Sequence, residues 1–246
     1  MDLIESIYPR PISGAPVTDL PSSLVPARSR ISGQYVELIP QNAVEHAADL
    51  FAAGNGSEAA LRIWDYMAYG PWESVEDYTA TLRAQTASFD PIFFTIRSLD
   101  TGKIGGQASY LHMNPQMGVI EIGHIWFSPE LQQTRAATEA LYLMIKYAMD
   151  QLKYRRMEWR CNAQNKKSRL AAARLGFRFE GIFHNHMIFK GKNRDTAWYS
   201  ILDNEWPEVK SIIEAWLAES NFDADGQAKT SMRSAMEARD PSQRAV

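Results

Sequence analysis

The sequence contains a single cysteine, Cys161, among its 246 residues. One thiol cannot form a disulfide within the chain, and it cannot build a metal site that needs several cysteines. Such cysteine usage is typical of proteins from a reducing compartment. No histidine motif accompanies Cys161, so we interpret it as a packed strand residue rather than as a nucleophile.

Long apolar runs and an excess of positive charge are also missing. No stretch approaches the roughly 18 uninterrupted apolar residues of a membrane-spanning helix, and 1–5 lacks the basic start of a signal peptide. We therefore expect a cytoplasmic protein without a membrane partner. The 26 Lys and Arg residues against 29 Asp and Glu give a net charge of −3, which argues against a nucleic-acid partner. The histidines lack the spacing of metal ligands, so no metal is expected.

What the sequence does contain divides it into three regions. Five prolines in 1–30 predict an extended arm, because proline interrupts both helices and sheet-interior strands. In 31–220, strand-like and helical patterns alternate, which predicts one α/β or α+β domain. The segment 221–246 has few apolar residues and nearly balanced charges, so we expect a flexible tail.

Within the central region, the patterns predict about seven strands and several amphipathic helices. The predicted strands are 31–39, 91–97, 103–112, 119–127, 156–161, 177–183 and 196–202. The predicted helices are 42–51 and 165–175, each begun by an asparagine cap, then 75–86, a long helix after Pro129 and a last helix near 209–217.

A candidate anion site lies where the strand 119–127 leads into the long helix. The connecting residues are Gln132, Gln133, Thr134, Arg135, Ala136, Ala137 and Thr138. Unpaired N–H groups at a helix N-terminus bind phosphate groups, and Gln132 and Arg135 can add side-chain donors. Plain packing of a strand against a helix explains the same small residues, so the segment alone leaves both interpretations open.

A second motif supports the anion site. It reads Asn-x-x-Ser at Asn165–Ser168, Leu-Gly-Phe at 175–177 and Phe-x-Phe-Glu-Gly at 177–181. Together with the upstream Gln-x-x-x-x-Ala segment, this pattern resembles the GNAT N-acetyltransferase superfamily, in particular its RimJ/RimL-like branch. The resemblance covers roughly 31–217. It implies a GNAT-like mixed, splayed sheet of about six to seven strands flanked by helices.

The resemblance also implies acetyl-CoA as co-substrate, held between the strands 119–127 and 156–161 with its pyrophosphate on the backbone of 133–138. Asn165 matches a residue that commonly hydrogen-bonds the cofactor, although a simple helix cap explains it equally well. Arg135 stands where the family has its first loop glycine. We expect Arg135 to compensate by pairing with a phosphate oxygen.

Acetyl transfer to an amine needs a base and an acid. Two carboxylates in strands that otherwise look buried, Glu121 and Glu158, are candidate bases, and we rank Glu121 first. Glu158 is better explained as a partner of a nearby arginine. Many relatives use a tyrosine as the acid where this chain has Ala172, which leaves the hydroxyl of Ser168 as the candidate. His124 is a further base only if a bulge brings it to the face of Glu121.

The acceptor site is expected in the aromatic stretch 63–72. Trp64, Tyr66, Tyr69 and Trp72 could stack on an amine, and His184 lies on a strand expected near the same cleft. A hydrophobic plug explains the aromatic residues equally well. The acceptor is expected to be a small amine, an amino-acid-like metabolite or a peptide N-terminus. A transferase for another acyl-CoA, a non-catalytic acyl-CoA-binding domain and a homodimer stay open.

Overall fold

The computed structural model describes residues 10, 16–19 and 21–240, and within them eight strands form one sheet. The strands are β1 (Ile31–Ser32), β2 (Val36–Pro40), β3 (Ile92–Ser98), β4 (Ile104–Asn114), β5 (Val119–Phe127), β6 (Arg156–Asn162), β7 (Arg178–Phe189) and β8 (Lys192–Leu202). Their spatial order is β1-β2-β3-β4-β5-β6-β8-β7. Only the β5–β6 pair among them is parallel, which confirms the mixed sheet expected from the sequence.

Helices flank both faces of the sheet. They are α1 (Ala43–Asn55), α2 (Glu58–Leu61), α3 (Val75–Ala87), α4 (Arg135–Lys146), α5 (Lys166–Arg174), α6 (Trp206–Leu217) and α7 (Met232–Arg239). A 3₁₀ turn, Arg62–Tyr66, follows α2, and a π turn, Tyr147–Gln151, extends α4. Asn42 and Asn165 cap α1 and α5 through their side chains, as predicted.

The two faces of the sheet have separate apolar clusters. One face packs against α4 and α6, where Ile120, Met157 and Ala140 belong to the main core. On the opposite face, α1 and α3 cover only β2–β4. Glu121 and Glu158 lie on this face too, beyond the two helices. We call this second side the acceptor face.

The sheet opens between β5 and β6. Their pairing is limited to Val119–Glu121 with Arg156–Glu158, whereas β6 stays paired with β8 along its whole length. Beyond Glu121, no described strand pairs with the β6 side of β5. A gap with a free strand edge therefore leads from the paired carboxylates toward the start of α4.

A β-bulge in β5 changes which residues face this gap. Gln107 pairs with Trp126 and Ser109 with Gly123, so β5 has one extra residue there, and His124 adopts a φ of 50°. His124 packs on Phe93, which lies on the acceptor face. The bulge therefore places His124 on the same face as Glu121, and simple alternation is wrong here.

The predicted strand 31–39 is two short strands instead of one. Gln34, Tyr35 and Val36 donate their N–H groups to the Glu139 carboxylate of α4. A chain that directs three consecutive N–H groups at one carboxylate cannot continue a flat ladder, so it turns and pairs back on itself.

The C-terminal segment also differs from expectation. Residues 221–240 were predicted to be a flexible tail, yet they contain α7, whose Met232 and Met236 are buried against the core. Four-residue spacing of two methionines is enough apolar surface to dock a short helix. The described part of the arm has neither helix nor strand, and Arg10 forms ion pairs with Glu180 and Glu205. Pro9 and Pro11 lie outside the described residues.

Candidate active site

The loop before α4 presents free N–H groups. Gln133 adopts a φ of 63°, and the Thr134 side chain caps the helix by accepting from the N–H of Ala137. Among the described residues, no acceptor takes the backbone N–H groups of Gln133, Arg135 and Ala136. The side chain of Gln132 donates to the carbonyl of Phe127, which fixes the loop to the end of β5. These groups suit an anion.

The set of backbone N–H groups that can bind an anion, which we call the cradle, is smaller than the sequence predicted. Ala137 and Thr138 both use their N–H groups inside the protein, on the Thr134 side chain and on the Thr134 carbonyl. The Thr138 hydroxyl is buried and accepts from Arg174. The backbone N–H groups available to an anion are therefore those of Gln133, Arg135 and Ala136.

Arg135 does not point toward the phosphate position, so this prediction is wrong. Its guanidinium lies between two aromatic rings, 3.8 Å from the Tyr35 centroid and 4.0 Å from the Phe222 centroid. It also donates to the carbonyl of Leu217, with Nε at 3.1 Å. The side chain thus joins α4 to the segment after α6, and only its backbone N–H faces the loop.

Glu121 sits in a polar cluster on the acceptor face. It is 4% exposed, its Oε2 lies 2.7 Å from Nδ1 of His112, and Nε of Arg160 is 2.9 Å from the same oxygen. Burial raises the pKa of Glu121, while the hydrogen bond from His112 and the charge of Arg160 act against that rise. The hydrogen bond to Glu121 raises the pKa of His112. A buried carboxylate with a raised pKa suits proton transfer.

Glu158, directly opposite Glu121 across β5 and β6, is held by two arginines. Nε of Arg156 lies 2.7 Å from Oε1, and Nη2 of Arg160 lies 2.6 Å from Oε2. Arg156 in turn contacts Glu180. Both oxygens are used in this ion-pair chain, which favours a structural role over that of a base.

Ser168 and Asn165 occupy the first turn of α5. The Asn165 side chain accepts from the N–H of Ser168, so its role as a helix cap is observed. The Ser168 hydroxyl accepts from the indole N–H of Trp159 at 3.0 Å. A side-chain hydrogen bond from Ser168 also lowers the pKa of Cys161, so the hydroxyl has a second partner on β6.

His124 ends a chain of side-chain hydrogen bonds. Gln41 donates to Gln107 at 2.7 Å, and Gln107 donates to the Tyr69 hydroxyl at 3.3 Å. The Tyr69 oxygen lies within hydrogen-bond distance of the imidazole, 2.9 Å from Nδ1 of His124. Burial lowers the pKa of His124 to about 4, so this imidazole is neutral near pH 7.

The aromatic stretch serves two different purposes. Trp64 is 1% exposed and donates its indole N–H to Gly54, and Trp72 packs edge-on against it at 4.8 Å. These two residues form the hydrophobic plug, so the prediction that Trp64 lines the acceptor site is wrong. Tyr69 and the exposed Tyr66 instead lie toward the gap.

Two hydrogen bonds connect the 3₁₀ turn with elements on the other side of the acceptor face. The Tyr66 hydroxyl donates to the carbonyl of Gln164 after β6, and Lys190 at the tip of the β7–β8 hairpin donates to the carbonyl of Trp64. His184 lies on this hairpin, largely exposed and bonded to Asp195, rather than inside the gap.

Sequence reasoning did not pair His112 with Glu121. The antiparallel pairing of β4 with β5 places Leu111 opposite Glu121 and His112 beside it. The sequence predicted an arginine partner for Glu158, and the structure provides two, Arg156 and Arg160.

The part of the chain that the structure describes contains neither a membrane-spanning helix nor a cluster of metal-binding side chains. None of its helices is both long and apolar enough to cross a membrane. No group of three or more His, Cys, Asp or Glu side chains in that part is arranged to hold a metal ion.

Comparisons with known proteins agree with this geometry. The crystal structure of a GCN5-related N-acetyltransferase from Brucella melitensis is 42% identical, covers 89% of this chain and 99% of its own, and superposes with a TM-score of 0.86. YdaF of Bacillus subtilis (strain 168), named provisionally as a ribosomal N-acetyltransferase, is 27% identical over 179 residues, which are 71% of this chain and 94% of YdaF.

A third relative shares the fold. The Microcin C7 self immunity acetyltransferase MccE, solved in complex with acetyl-CoA and AMP, has a TM-score of 0.61 at 21% identity, over 69% of this chain and 93% of its own. The family model described as "Acetyltransferase (GNAT) domain" matches residues 38–178. With that match over more than half of its length, the chain belongs to the GNAT family and is an acyltransferase.

Proposed function

We propose that this enzyme transfers the acetyl group of acetyl-CoA to a primary amine by direct attack in a ternary complex. Acetyl-CoA dependence is general to the family. One observation carries the proposal: the gap between β5 and β6 joins a set of free N–H groups at one end to a buried carboxylate at the other. The relation to YdaF supports the RimJ/RimL-like branch.

The residues around the gap fit acetyl-CoA. The N–H groups of Gln133, Arg135 and Ala136, at the positive end of α4, would hold its pyrophosphate. The free edge of β5 beyond Glu121 offers backbone donors and acceptors to an extended chain of amide groups. Asn165 keeps its capping role and positions Ser168.

In the proposed reaction, the amine nitrogen attacks the thioester carbon. A C–N bond forms, the C–S bond breaks, and the electron pair of that bond leaves with the sulfur. Glu121 takes the proton lost by the nitrogen, through water, and Ser168 passes a proton to the thiolate and regains one from solvent. The hydrogen bonds with Trp159 and Cys161 hold the Ser168 side chain in place at the start of α5.

Acetyl-CoA binding tests the cradle. Gln133→Glu keeps the shape of an exposed side chain and adds a negative charge beside the helix N-terminus. We expect it to weaken acetyl-CoA binding by about 5- to 100-fold, since like charges at close range repel by roughly 1–3 kcal/mol. Isothermal titration calorimetry gives the Kd.

Gln116→Glu is the matched control, because it makes the same charge change at an exposed position in the turn between β4 and β5. Its Kd should equal that of the wild type. Equal affinity of both variants would contradict the cradle. If millimolar acetyl-CoA failed to bind the wild type, both the enzyme and an acyl-CoA sensor would be ruled out for this site.

Ser168→Ala tests the proton donor. We expect kcat to fall by about tenfold, because a thiolate is a tolerable leaving group at neutral pH and its protonation is the smaller part of the barrier. Acceptor-dependent CoA release measures kcat. Ser234→Ala removes a serine at the equivalent position of α7, where Ser231 caps its N–H, and should leave kcat unchanged. A loss as large as that of Glu121→Gln would mean that thiolate protonation limits the rate.

A further inference from the structure

One cation on the acceptor face, Arg194, has no hydrogen-bond or ion-pair partner among the described residues. Arg194 of β8 is half-buried, and its Cζ lies 4.3 Å from the centroid of the Phe189 ring. Its Nε is fully buried without a hydrogen-bond acceptor. Across the described residues, no carboxylate or other acceptor contacts any nitrogen of this guanidinium. Stacking on a ring does not replace an anion.

Three arginines of the neighbouring strands β6 and β7 are paired with carboxylates. Arg160 contacts both Glu121 and Glu158, Arg156 contacts Glu158 and Glu180, and Arg178 contacts Glu205. Arg194 differs from these three, since its buried Nε is a donor without an acceptor among the described residues. A buried donor without an acceptor costs free energy.

Arg194 lies where an acceptor would be placed. It shares one face of β8 with Trp198, whose ring stacks on Arg160 at 3.8 Å, and that face is the acceptor face. Arg160 in turn contacts Glu121, so this face of β8 leads to the candidate base. The indole N–H of Trp198 also lacks an acceptor among the described residues.

We propose that Arg194 binds an anionic group of the acceptor, so that the acceptor is a primary amine carrying a carboxylate or a phosphate group. This inference rests on the proposed acetyl transfer. It makes the site complementary to a molecule with both charges, since Glu121 faces the amine while Arg194 faces the anion. A peptide whose first residues are not acidic has no such anion beside its amine, so such peptides become poor acceptors.

Matched acceptor pairs test the inference. 2-Aminoethyl phosphate is compared with ethanolamine, and phenylalanine with phenylalanine amide and with a peptide beginning with phenylalanine. We expect kcat/KM for at least one anionic member to exceed that of its neutral partner by about tenfold or more, as charge-assisted bonds do. Whichever pair shows this preference distinguishes a phosphate from a carboxylate.

Arg194→Gln should abolish that preference by lowering kcat/KM for the anionic member alone. Arg155→Gln, which removes an exposed positive charge, is the matched control and should keep the preference. Equal losses on charged and neutral acceptors would overturn the inference.

Failure of this inference and failure of acetyl transfer look different. If acetyl-CoA binds and only neutral amines or peptides are acetylated, the inference is wrong and the enzyme activity stands. If acetyl-CoA binds and none of the anionic amines is acetylated, the inference is again wrong. If acetyl-CoA does not bind, the proposed function fails, and the inference fails with it.

Discussion

We expect Glu121→Gln to lower kcat by about 10²–10⁴-fold while the Kd for acetyl-CoA stays close to the wild-type value. Glutamine keeps the shape of the side chain and one acceptor oxygen for His112 and Arg160, but it cannot take a proton. Acceptor-dependent release of CoA measures kcat, and calorimetry measures Kd. The loss therefore appears in the chemical step rather than in binding.

Glu158→Gln is the matched control, because Glu158 is the register partner of Glu121 and equally buried. Its oxygens are occupied by Arg156 and Arg160, so we expect a lower melting temperature and a much smaller change in kcat. If the two results were exchanged, the base would be Glu158. If neither variant lost activity, the amine would lose its proton to solvent before attack, and catalysis would consist of positioning.

The pH profile gives a second measurement of the same residue. A base works only when ionised, so kcat/KM should rise with pH through the pKa of Glu121, which burial raises above the usual range of a glutamate. In Glu121→Gln this limb should vanish. His112→Leu removes a hydrogen bond that lowers the pKa of Glu121, so the limb should move to higher pH. A shift to lower pH would contradict this assignment.

The second large effect concerns stability. Arg135→Ala should reduce the free energy of unfolding by about 2–3 kcal/mol, because it removes two ring contacts and leaves the carbonyl of Leu217 without its donor. For a chain of this size, that corresponds to a fall of about 5–10 °C in melting temperature. Differential scanning calorimetry measures both quantities.

Arg62→Ala serves as the comparison, since Arg62 is an exposed arginine with only an i,i+4 partner, and it should change stability by about 0.5 kcal/mol at most. Below its melting temperature, Arg135→Ala should bind acetyl-CoA as the wild type does. A tenfold weaker Kd with unchanged stability would return Arg135 to the phosphate and contradict the packing observed here.

Local signals in the sequence predicted the fold well. The apolar repeat from Ala137 onward predicts α4, the asparagines at 42 and 165 mark true helix starts, and the apolar run 119–127 is β5 with the predicted bounds. These features depend on residues within a few positions of each other. Local chemistry is therefore enough to predict them.

Features that depend on distant partners were not predictable in the same way. Arg135 points inward because two distant residues supply rings on both sides of its guanidinium. Tyr35 lies 100 residues before it in the sequence, and Phe222 lies 87 residues after it. The bulge at His124 follows from the register with β4, which the pattern of β5 alone does not contain. The missing partner of Arg194 is visible only when every neighbouring carboxylate has been placed.

The short pairing of β5 with β6 also sets a rule for the shape of whatever enters between them. Neighbouring strands are normally about 4.8 Å apart, and the backbone groups along a strand repeat every two residues. A thin, extended molecule that carries amide groups can hydrogen-bond to the free edge of β5 as a further strand would. A ring system of the same polarity cannot. The width of a cofactor tail and the spacing of its amide groups, rather than its charge, would then decide whether it enters this gap.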